Sequence, residues 1–188
     1  MQRCGWVSTD PLYQRYHDSE WGEAQTQSKA LFEMICLEGQ QAGLSWITVL
    51  KKRQNYRAAF HQFDPQAVAL MTEEDIDRLM LNSGLIRHRA KLNAIVTNAR
   101  AVLAMQADGE DFSRFIWSFV ADRPQINHFS DAMAVPAQTA TSLALSKALK
   151  RRGFKFVGST ICYAFMQACG LVNDHLTCCF RHPDNQPR

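Results

Sequence analysis

Apolar residues recur at helical spacing along most of this 188-residue chain, and no stretch shows convincing strand-like alternation. Helix boundary signals accompany the pattern. Asp64-Pro65 predicts an N-cap followed by proline at the first helical position, and Thr72 with Asp75 has the spacing of a capping box. Ser83-Gly84 predicts the end of that helix. These features predict an all-α fold with short interhelical turns.

The longer helices follow from the same spacing. We expect them over residues 28–38, 87–106, 112–120, 142–151 and 159–169. Residues 124–141 have little periodicity, and we expect this segment to cross the surface as a loop.

Length and apolar patterning limit the classes of protein that this chain can be. We expect one domain, or two small lobes that share a core. No apolar secretory signal follows Met1, and the longest apolar stretch, residues 160–172, is too short to cross a bilayer. A cytoplasmic protein is therefore expected, with its six cysteines as free thiols or metal ligands rather than disulfides.

The formal net charge of +3 is too small for nucleic-acid binding to depend on overall charge. More than half of the basic residues nevertheless fall into three clusters. Such patches can contact phosphates, although solvated helix faces are the simpler explanation of any one cluster. The clusters are Lys51, Lys52, Arg53 and Arg57; Arg87, Arg89 and Lys91; and Lys147, Lys150, Arg151, Arg152 and Lys155.

The segment 32–46 combines residue types that are unusual at the end of an apolar helix. Glu38 stands just before Gly39, and Gly43, Leu44 and Trp46 follow. An acid, a flat aromatic side chain and a glycine turn close together favour a pocket for a planar, electron-poor ligand. Four further aromatic residues near the N-terminus either line such a pocket or belong to the core: Trp6, Tyr13, Tyr16 and Trp21.

A second segment, residues 150–160, joins two predicted helices through a turn bounded by Gly153 and Gly158. Glycine lets the backbone approach a partner closely, and a helix start presents free N–H groups that attract anions. With basic residues around it, the segment favours contact with the phosphate backbone of DNA or RNA. A plain helix–helix turn with glycine at the helix end explains the same residues.

Cysteine and histidine residues near both chain ends have the chemistry of zinc ligands. Cys4, His17, His175 and Cys179 would together make a closed Cys2His2 site, a composition typical of structural zinc, with Cys178 as a competing ligand. Free thiols and a surface histidine are the alternative. The other cysteines are expected in the core and the other histidines at the surface: Cys36, Cys162 and Cys169, and His61, His88, His128 and His182.

Together, these residues resemble the bacterial 3-methyladenine DNA glycosylase I family, which is similar to the wider helix-hairpin-helix glycosylases. The resemblance covers nearly the whole chain. It is densest over residues 3–7, 16–22, 31–63 and 145–175, and weakest over 124–141. It implies that residues 1–188 form a single helix-hairpin-helix DNA glycosylase domain with the hairpin around 153–160.

The resemblance also implies an activity in base excision repair. We expect hydrolysis of the N-glycosidic bond of 3-methyladenine in alkylated double-stranded DNA after the base is flipped. No lysine is placed as a Schiff-base nucleophile, so we expect a monofunctional glycosylase without strand cleavage. The protein is expected to act as a monomer without a membrane. The resemblance implies one structural zinc ion, bound by Cys4, His17, His175 and Cys179.

The same resemblance assigns roles within the pocket. It implies that Glu38 and Tyr16 hydrogen-bond the excised base and that Trp46 stacks on it. The remaining aromatic residues of the set line the pocket: Trp6, Tyr13 and Trp21. Asp174 lies near the position of the superfamily's catalytic aspartate, but a predicted metal ligand follows it, and the family is implied to work without that aspartate.

Contacts with DNA are expected from two turns. Leu44, next to Gly43, is the predicted plug that fills the gap left by the flipped base. The hairpin is expected to meet the DNA backbone through Lys155, Gly158, Ser159 and Thr160. The main alternative is a zinc-stabilised helical DNA-binding module without catalysis. A redox-active thiol protein is the weaker alternative, since the chain has no Cys-x-x-Cys.

Overall fold

The computed structural model describes residues 1–186, and helices dominate this part of the chain. Three 3₁₀ turns cover His61–Phe63, Ala132–Ala134 and Pro183–Asn185. The helices and strands, in chain order, are α1 Pro11–Ser19, α2 Ser28–Gln41, α3 Trp46–Ala59, α4 Pro65–Ala69, α5 Glu73–Met80, α6 Arg89–Ala107, α7 Phe112–Ser118, β1 Gln125–Ile126, α8 Ala140–Arg151, α9 Ser159–Ala168 and β2 Val172–Asn173.

Helix α2 lies at the centre of the fold, since it packs against α3, α6, α7 and α9. Its side chains Leu31, Phe32 and Ile35 are completely buried. One hydrophobic cluster extends from them into the other helices, where α4 and α5 pack on α6, and α8 packs on α9. Burial of this apolar surface is the main favourable term in folding. The predicted all-α class is confirmed as a mostly helical fold.

Helix boundaries follow the capping chemistry. The side chain of Asp64 accepts a hydrogen bond from the Gln66 N–H at the start of α4, and Thr72 with Asp75 forms the predicted capping box of α5. Helix α6 begins at Arg89, two residues later than predicted, because His88 is extended and its ring caps the helix by accepting from the Lys91 N–H.

The segment 124–141 is mostly loop, as predicted, but it also contains short regular elements. Strand β1 pairs in parallel with β2, Gln125 opposite Val172, and two residues are too few to show alternation in the sequence. Helix α8 begins at Ala140 rather than at the predicted Ser142, because Thr139 and Ser142 form a capping box. The segment is therefore tied to the C-terminal part of the chain.

The two chain ends meet. The Phe180 N–H donates to the carbonyl of Gln2 over 2.9 Å, and the Gly22 and Gln25 N–H groups donate to carbonyls at the end of α9 and just beyond it. Among residues 1–186, no helix is long and apolar enough to cross a membrane.

The expectation that His182 lies at the surface is wrong, because its side chain is completely buried. Its Nδ1 accepts from the Asp184 N–H, and its Nε2 lies 3.2 Å from the carbonyl oxygen of Asn127. Asn127 is 55 residues away in the chain, so nothing local in the sequence signals this contact. The other three histidines of that set are exposed as predicted: His61, His88 and His128.

Candidate functional site

A pocket of about 400 Å³ opens between α1, the end of α2, the start of α3, α9 and the segment 132–137. Its size falls in the range of small-molecule sites. The structure brings every aromatic residue of the predicted set to this pocket, together with Glu38. The lining residues include Trp6, Tyr13, Tyr16, Trp21, Glu38, Trp46, Thr160 and Asp174.

Helix α1 supplies the aromatic face of the pocket. Its first turn is fixed by Asp10, whose side chain accepts from the Leu12 N–H, with proline next at the first helical position. Tyr13 and Tyr16 then share one face of the helix, as predicted. The Trp6 ring lies 5.0 Å from that of Tyr13, and the Tyr16 ring lies 5.6 Å from that of Trp46. These distances are typical of packed aromatic pairs.

Trp21 belongs both to the hydrophobic core and to the pocket wall, so the two predicted locations of this residue are compatible. Its ring centroid lies 5.1 Å from that of Trp6 and 4.7 Å from that of His175. The side chain is largely buried yet still lines the pocket.

Glu38 is the one acid on the buried face of α2, and only 3% of its surface is exposed. Its Oε2 has no hydrogen-bond partner among residues 1–186. Burial disfavours the charged form and raises the pKa of Glu38 to about 8. The Glu38 carboxyl group is therefore mainly protonated at neutral pH, and its Oε2 atom is available to a polar ligand.

The position of Glu38 in its helix differs from the prediction. Helix α2 does not end at Gly39 but continues to Gln41, so Glu38 lies within it. Gly39 serves packing rather than a turn, since a Cβ there would come within 3.2 Å of Phe156. The turn occurs at Gly43, whose φ of +79° suits glycine.

Two other polar groups face the same pocket. Burial and the nearby Glu38 raise the pKa of Tyr16 well above its ordinary value, so the phenol keeps its proton. The indole Nε1 of Trp46 is buried and, like Glu38 Oε2, finds no partner in the described chain. Buried polar groups are normally paired, so these unpaired atoms indicate a site that a polar ligand completes.

Leu44 is the exposed tip of the turn between α2 and α3, with 42% of its surface accessible. A tight turn in which the Leu44 N–H donates to the Gln41 carbonyl precedes α3. An apolar side chain displayed beside a pocket is suited to insertion into a base stack.

The connection between α8 and α9 is held from inside the protein. The side chain of Asn98 accepts from the Lys155 N–H over 2.8 Å and donates to the Lys155 carbonyl over 3.2 Å. Phe156 has a positive φ of 56°, in a region that favours glycine. The start of α9 has Gly158 as its N-cap with no side-chain capping bond, and the side of Gly158 is open.

Most members of the first two basic clusters have internal partners. Arg53 pairs with Glu20, Arg57 with Glu33 and Lys51 with Asp10, while Lys52 donates to the Ser83 carbonyl. Arg89 pairs with Asp77, and Lys91 is buried. The third cluster keeps exposed cations around the α8–α9 connection: Lys147, Lys150, Arg151 and Lys155.

The four predicted metal ligands converge. Ligand atoms of Cys4, His17, His175 and Cys179 all lie within 4.8 Å of one another. Sγ of Cys4 and Sγ of Cys179 both lie 3.6 Å from Nδ1 of His175, and Cys179 Sγ lies 3.4 Å from Nε2 of His17. A tetrahedral zinc ion with ordinary bond lengths separates sulfur from nitrogen by about 3.6 Å. The geometry therefore fits zinc.

The surroundings of this cluster also suit a metal. His175 Nε2 lies 3.0 Å from the Trp21 carbonyl, and His17 Nδ1 lies 2.8 Å from Oδ1 of Asp18. Metal-bound histidines normally use their second nitrogen in this way. Burial lowers the pKa of His175 to about 4, so its imidazole is neutral, as a ligand must be.

Of the four cysteines outside the cluster, one is exposed and three are buried. Cys178 is exposed and lies outside the ligand set, so it does not compete with Cys179. The three cysteines predicted in the core are buried: Cys36, Cys162 and Cys169.

Asp174 lines the pocket, but its carboxylate is fully engaged. Oδ1 accepts from Asn127, and Oδ2 accepts from the Tyr163 hydroxyl over 2.6 Å and from Gln167 over 2.8 Å. These three donors hold the carboxylate in place at the pocket wall. Sequence reasoning did not identify Tyr163, Gln167 or the segment 132–137 as parts of the pocket, because no local pattern marks them.

Comparison with known proteins finds relatives over nearly the whole chain. The family model for methyladenine glycosylase matches residues 6–182. DNA-3-methyladenine glycosylase 1 of Escherichia coli is 65% identical, with 100% of both chains covered. A crystal structure of 3-methyladenine DNA glycosylase I is 66% identical, covering 97% of this chain and 100% of its own with a TM-score of 0.96.

The Staphylococcus aureus 3-methyladenine DNA glycosylase I, whose structure concerns 3-methyladenine recognition, is 43% identical. It covers 100% of this chain and 98% of its own, with a TM-score of 0.92. High identity over full length and the shared fold lead to one conclusion: this chain belongs to the methyladenine glycosylase family.

Proposed function

We propose that this protein is a monofunctional DNA glycosylase that hydrolyses the N-glycosidic bond of 3-methyladenine in alkylated double-stranded DNA. The observation that carries the proposal is the buried, unpartnered carboxyl group of Glu38 among aromatic faces, in a pocket of about 400 Å³. The names of the relatives from Escherichia coli and Staphylococcus aureus support the same substrate.

Recognition of the flipped base rests on charge and ring contact. Methylation at N3 makes adenine cationic, and an aromatic face attracts such a cation by on the order of 0.5–2 kcal/mol. Trp46 stacks on the ring, while Trp6, Tyr13 and Trp21 enclose it. Glu38 accepts from the exocyclic amine, and the protonated Tyr16 hydroxyl contributes a second hydrogen bond.

Ionisation of Glu38 is coupled to this binding. A pKa of about 8 means that the Glu38 carboxyl group is mainly neutral at neutral pH. A cationic base brings the positive charge that favours the carboxylate, so its entry releases the Glu38 proton. An unmethylated adenine brings no such charge and leaves the carboxyl group neutral.

The same pocket rejects guanine. Unmethylated guanine brings no positive charge to favour the carboxylate, and its O6, an acceptor, cannot replace the adenine amine as a donor to Glu38. Unpaired polar groups in a buried site weaken binding of a close analogue.

The positive charge of the leaving base accounts for much of the decrease in the activation barrier for breaking the N-glycosidic bond. The cationic base departs readily, and water attacks C1′ of the sugar as the N-glycosidic bond breaks. No lysine is present among the pocket-lining residues of the described chain, which argues against a Schiff-base intermediate and strand cleavage. Asp174 is held by three donors, and we assign it no role as a base.

DNA is bound on the side of the two turns. Leu44 fills the gap in the stack after flipping, with Gly43 giving the turn its shape. At the start of α9, Gly158, Ser159 and Thr160 present backbone N–H groups to a phosphate, and the exposed Lys155 adds charge. We assign the α8–α9 connection as the hairpin of a helix-hairpin-helix motif within one glycosylase domain, residues 1–188.

One structural zinc ion is proposed at the Cys–His cluster. Cys4, His17, His175 and Cys179 would hold it, and when bound it would cross-link the chain ends. The fit rests on the sulfur–nitrogen distances of 3.4–3.6 Å and on the second hydrogen bond of each histidine.

The function is tested with N-methylated duplex DNA, by chromatographic analysis of released bases. We expect free 3-methyladenine, no strand cleavage and no release from unmethylated DNA. DNA binding without any released base would instead support the non-catalytic zinc-stabilised module.

Glu38→Gln is expected to slow single-turnover release of 3-methyladenine by on the order of 10- to 100-fold, since the neutral amide lacks the charge that pairs with the base. With enzyme below saturation, where the rate reports the unbound protein, the wild-type rate should rise with pH up to about pH 8 and then level off, because loss of the Glu38 proton favours the complex. The variant should have a flat profile over the same range. A flat wild-type profile would contradict the role.

Thermal unfolding tests the protonation state of Glu38 independently of catalysis. The folded state keeps the Glu38 proton between about pH 4.5 and about pH 8, where the unfolded state has lost it. Wild-type stability therefore falls as the pH rises through this window, and the stability advantage of Glu38→Gln should grow with it. A difference in melting temperature that does not change with pH would mean that Glu38 is not desolvated.

Cys4→Ser should abolish stoichiometric zinc and lower the melting temperature by at least about 5 °C, because a lost ligand removes binding energy that stabilises the fold. Cys178→Ser is the matched control, since this exposed thiol lies outside the cluster. Metal content measured by atomic absorption should stay at one ion in the control. Full zinc occupancy in Cys4→Ser would exclude this ligand set.

Lys155→Gln should weaken binding to all duplexes similarly and reduce the slope of log Kd against log salt by about 1, as expected for one lost phosphate contact. Lys29→Gln, an exposed lysine at the opposite end of α2 from the pocket, should leave the slope unchanged. Fluorescence anisotropy at several salt concentrations measures both. Equal slopes in Lys155→Gln and wild type would remove Lys155 from the interface.

A further inference from the structure

Lys91, which the sequence places in a basic cluster, is buried in the structure with only 6% of its surface exposed. Its ammonium group donates to the carbonyl of Gln40 over 2.8 Å and to that of Ala42 over 2.5 Å. Both carbonyls belong to the C-terminal end of α2, where backbone oxygens lack helical partners. The cation therefore caps α2 from the first turn of α6.

A chain of side-chain hydrogen bonds reinforces this contact. The Gln40 amide donates back to the Lys91 carbonyl over 2.9 Å, and its oxygen accepts from the Tyr56 hydroxyl over 3.1 Å. That hydroxyl in turn accepts from the Ile86 N–H over 3.1 Å. The end of α2 is thus tied to α3 and to the loop before α6.

The capped carbonyls immediately precede the turn that carries Leu44. Ala42 is the last residue before Gly43, and within the turn itself the Leu44 N–H donates to Gln41. Lys91 does not line the pocket, so it has no direct contact with a bound base. Its position links the Leu44 turn to the rigid helix α6.

We propose that Lys91 is a positioning residue that holds residues 42–45 so that Leu44 is presented to the DNA stack before base flipping. This inference rests on the proposed glycosylase function and on the plug role of Leu44. A Leu44 side chain that is already held in position loses less conformational entropy on insertion into the DNA stack than a mobile one. Without the ammonium group, two carbonyls at the end of α2 lose their donor and the turn loses its tie to α6.

Removal of the Lys91 ammonium group should slow release of 3-methyladenine from DNA without weakening the binding of free 3-methyladenine. Lys91→Met keeps the volume of the side chain but removes the charge. We expect single-turnover release of 3-methyladenine from duplex DNA to fall roughly tenfold, while affinity for free 3-methyladenine stays within about twofold. An equal loss of free-base affinity would mean that Lys91 supports the whole pocket and would overturn the proposal.

A double-mutant cycle with Leu44→Ala tests whether Lys91 acts through the plug. If it does, Lys91→Met in the Leu44→Ala background should change the release rate by less than about twofold. Multiplicative losses from the two changes would show independent action and would refute the inference. A wild-type protein that releases no 3-methyladenine would instead reject the proposed function itself.

Two further variants control for nonspecific effects of removing a lysine and for failure of Lys91→Met to fold. Lys52→Met removes another lysine that donates to a backbone carbonyl, that of Ser83, and should leave release from DNA unchanged. Tyr56→Phe removes only the hydroxyl of the supporting chain and should give a smaller loss, roughly two- to threefold, that also disappears in the Leu44→Ala background. If Lys91→Met does not fold, the Tyr56→Phe cycle decides, and a loss that persists without Leu44 refutes the proposal.

Discussion

The buried carboxyl group of Glu38 is the constraint on which the pocket depends. A rise in its pKa to about 8 corresponds to roughly 5 kcal/mol against ionisation in the empty pocket. A natural domain is only about 5–15 kcal/mol more stable than its unfolded chain, so an ionised Glu38 without a partner would remove a large part of that margin. The group therefore stays neutral without a partner of positive charge, and the proposed recognition of a cationic base follows from this property.

Helix α6 connects this pocket to both proposed DNA contacts. Lys91 and Asn98 are seven residues apart, about two helical turns, and so lie on the same side of the helix. Lys91 holds the end of α2, and Asn98 holds both backbone groups of Lys155. One helix thereby sets the distance between the Leu44 turn and the α8–α9 connection, the two segments proposed to contact DNA.

Local chemistry made much of this fold predictable from sequence, whereas contacts between distant residues were not. The capping box at Thr72 and the proline start of α4 depend only on residues close in sequence, so they were predicted correctly. Lys91 looked like a surface cation because its partners lie about 50 residues away in α2, and Gly39 looked like a turn because its contact with Phe156 is tertiary. The predicted pocket and ligand residues do converge in the structure, but the segment 132–137 lacked any pattern that could place it beside them.

The Cys–His cluster and the pocket share Cys4, so joining the chain ends also helps to build the pocket wall. Cys4 lines the pocket, and the Trp21 carbonyl lies 3.0 Å from Nε2 of His175. Residues 1–10 precede the first helix, and a cross-link at Cys4 limits the conformational freedom that such a segment would otherwise have. Four protein ligands close the coordination shell of a zinc ion. An ion bound there would therefore act on base recognition by fixing the positions of Trp6 and Trp21, not by taking part in the reaction.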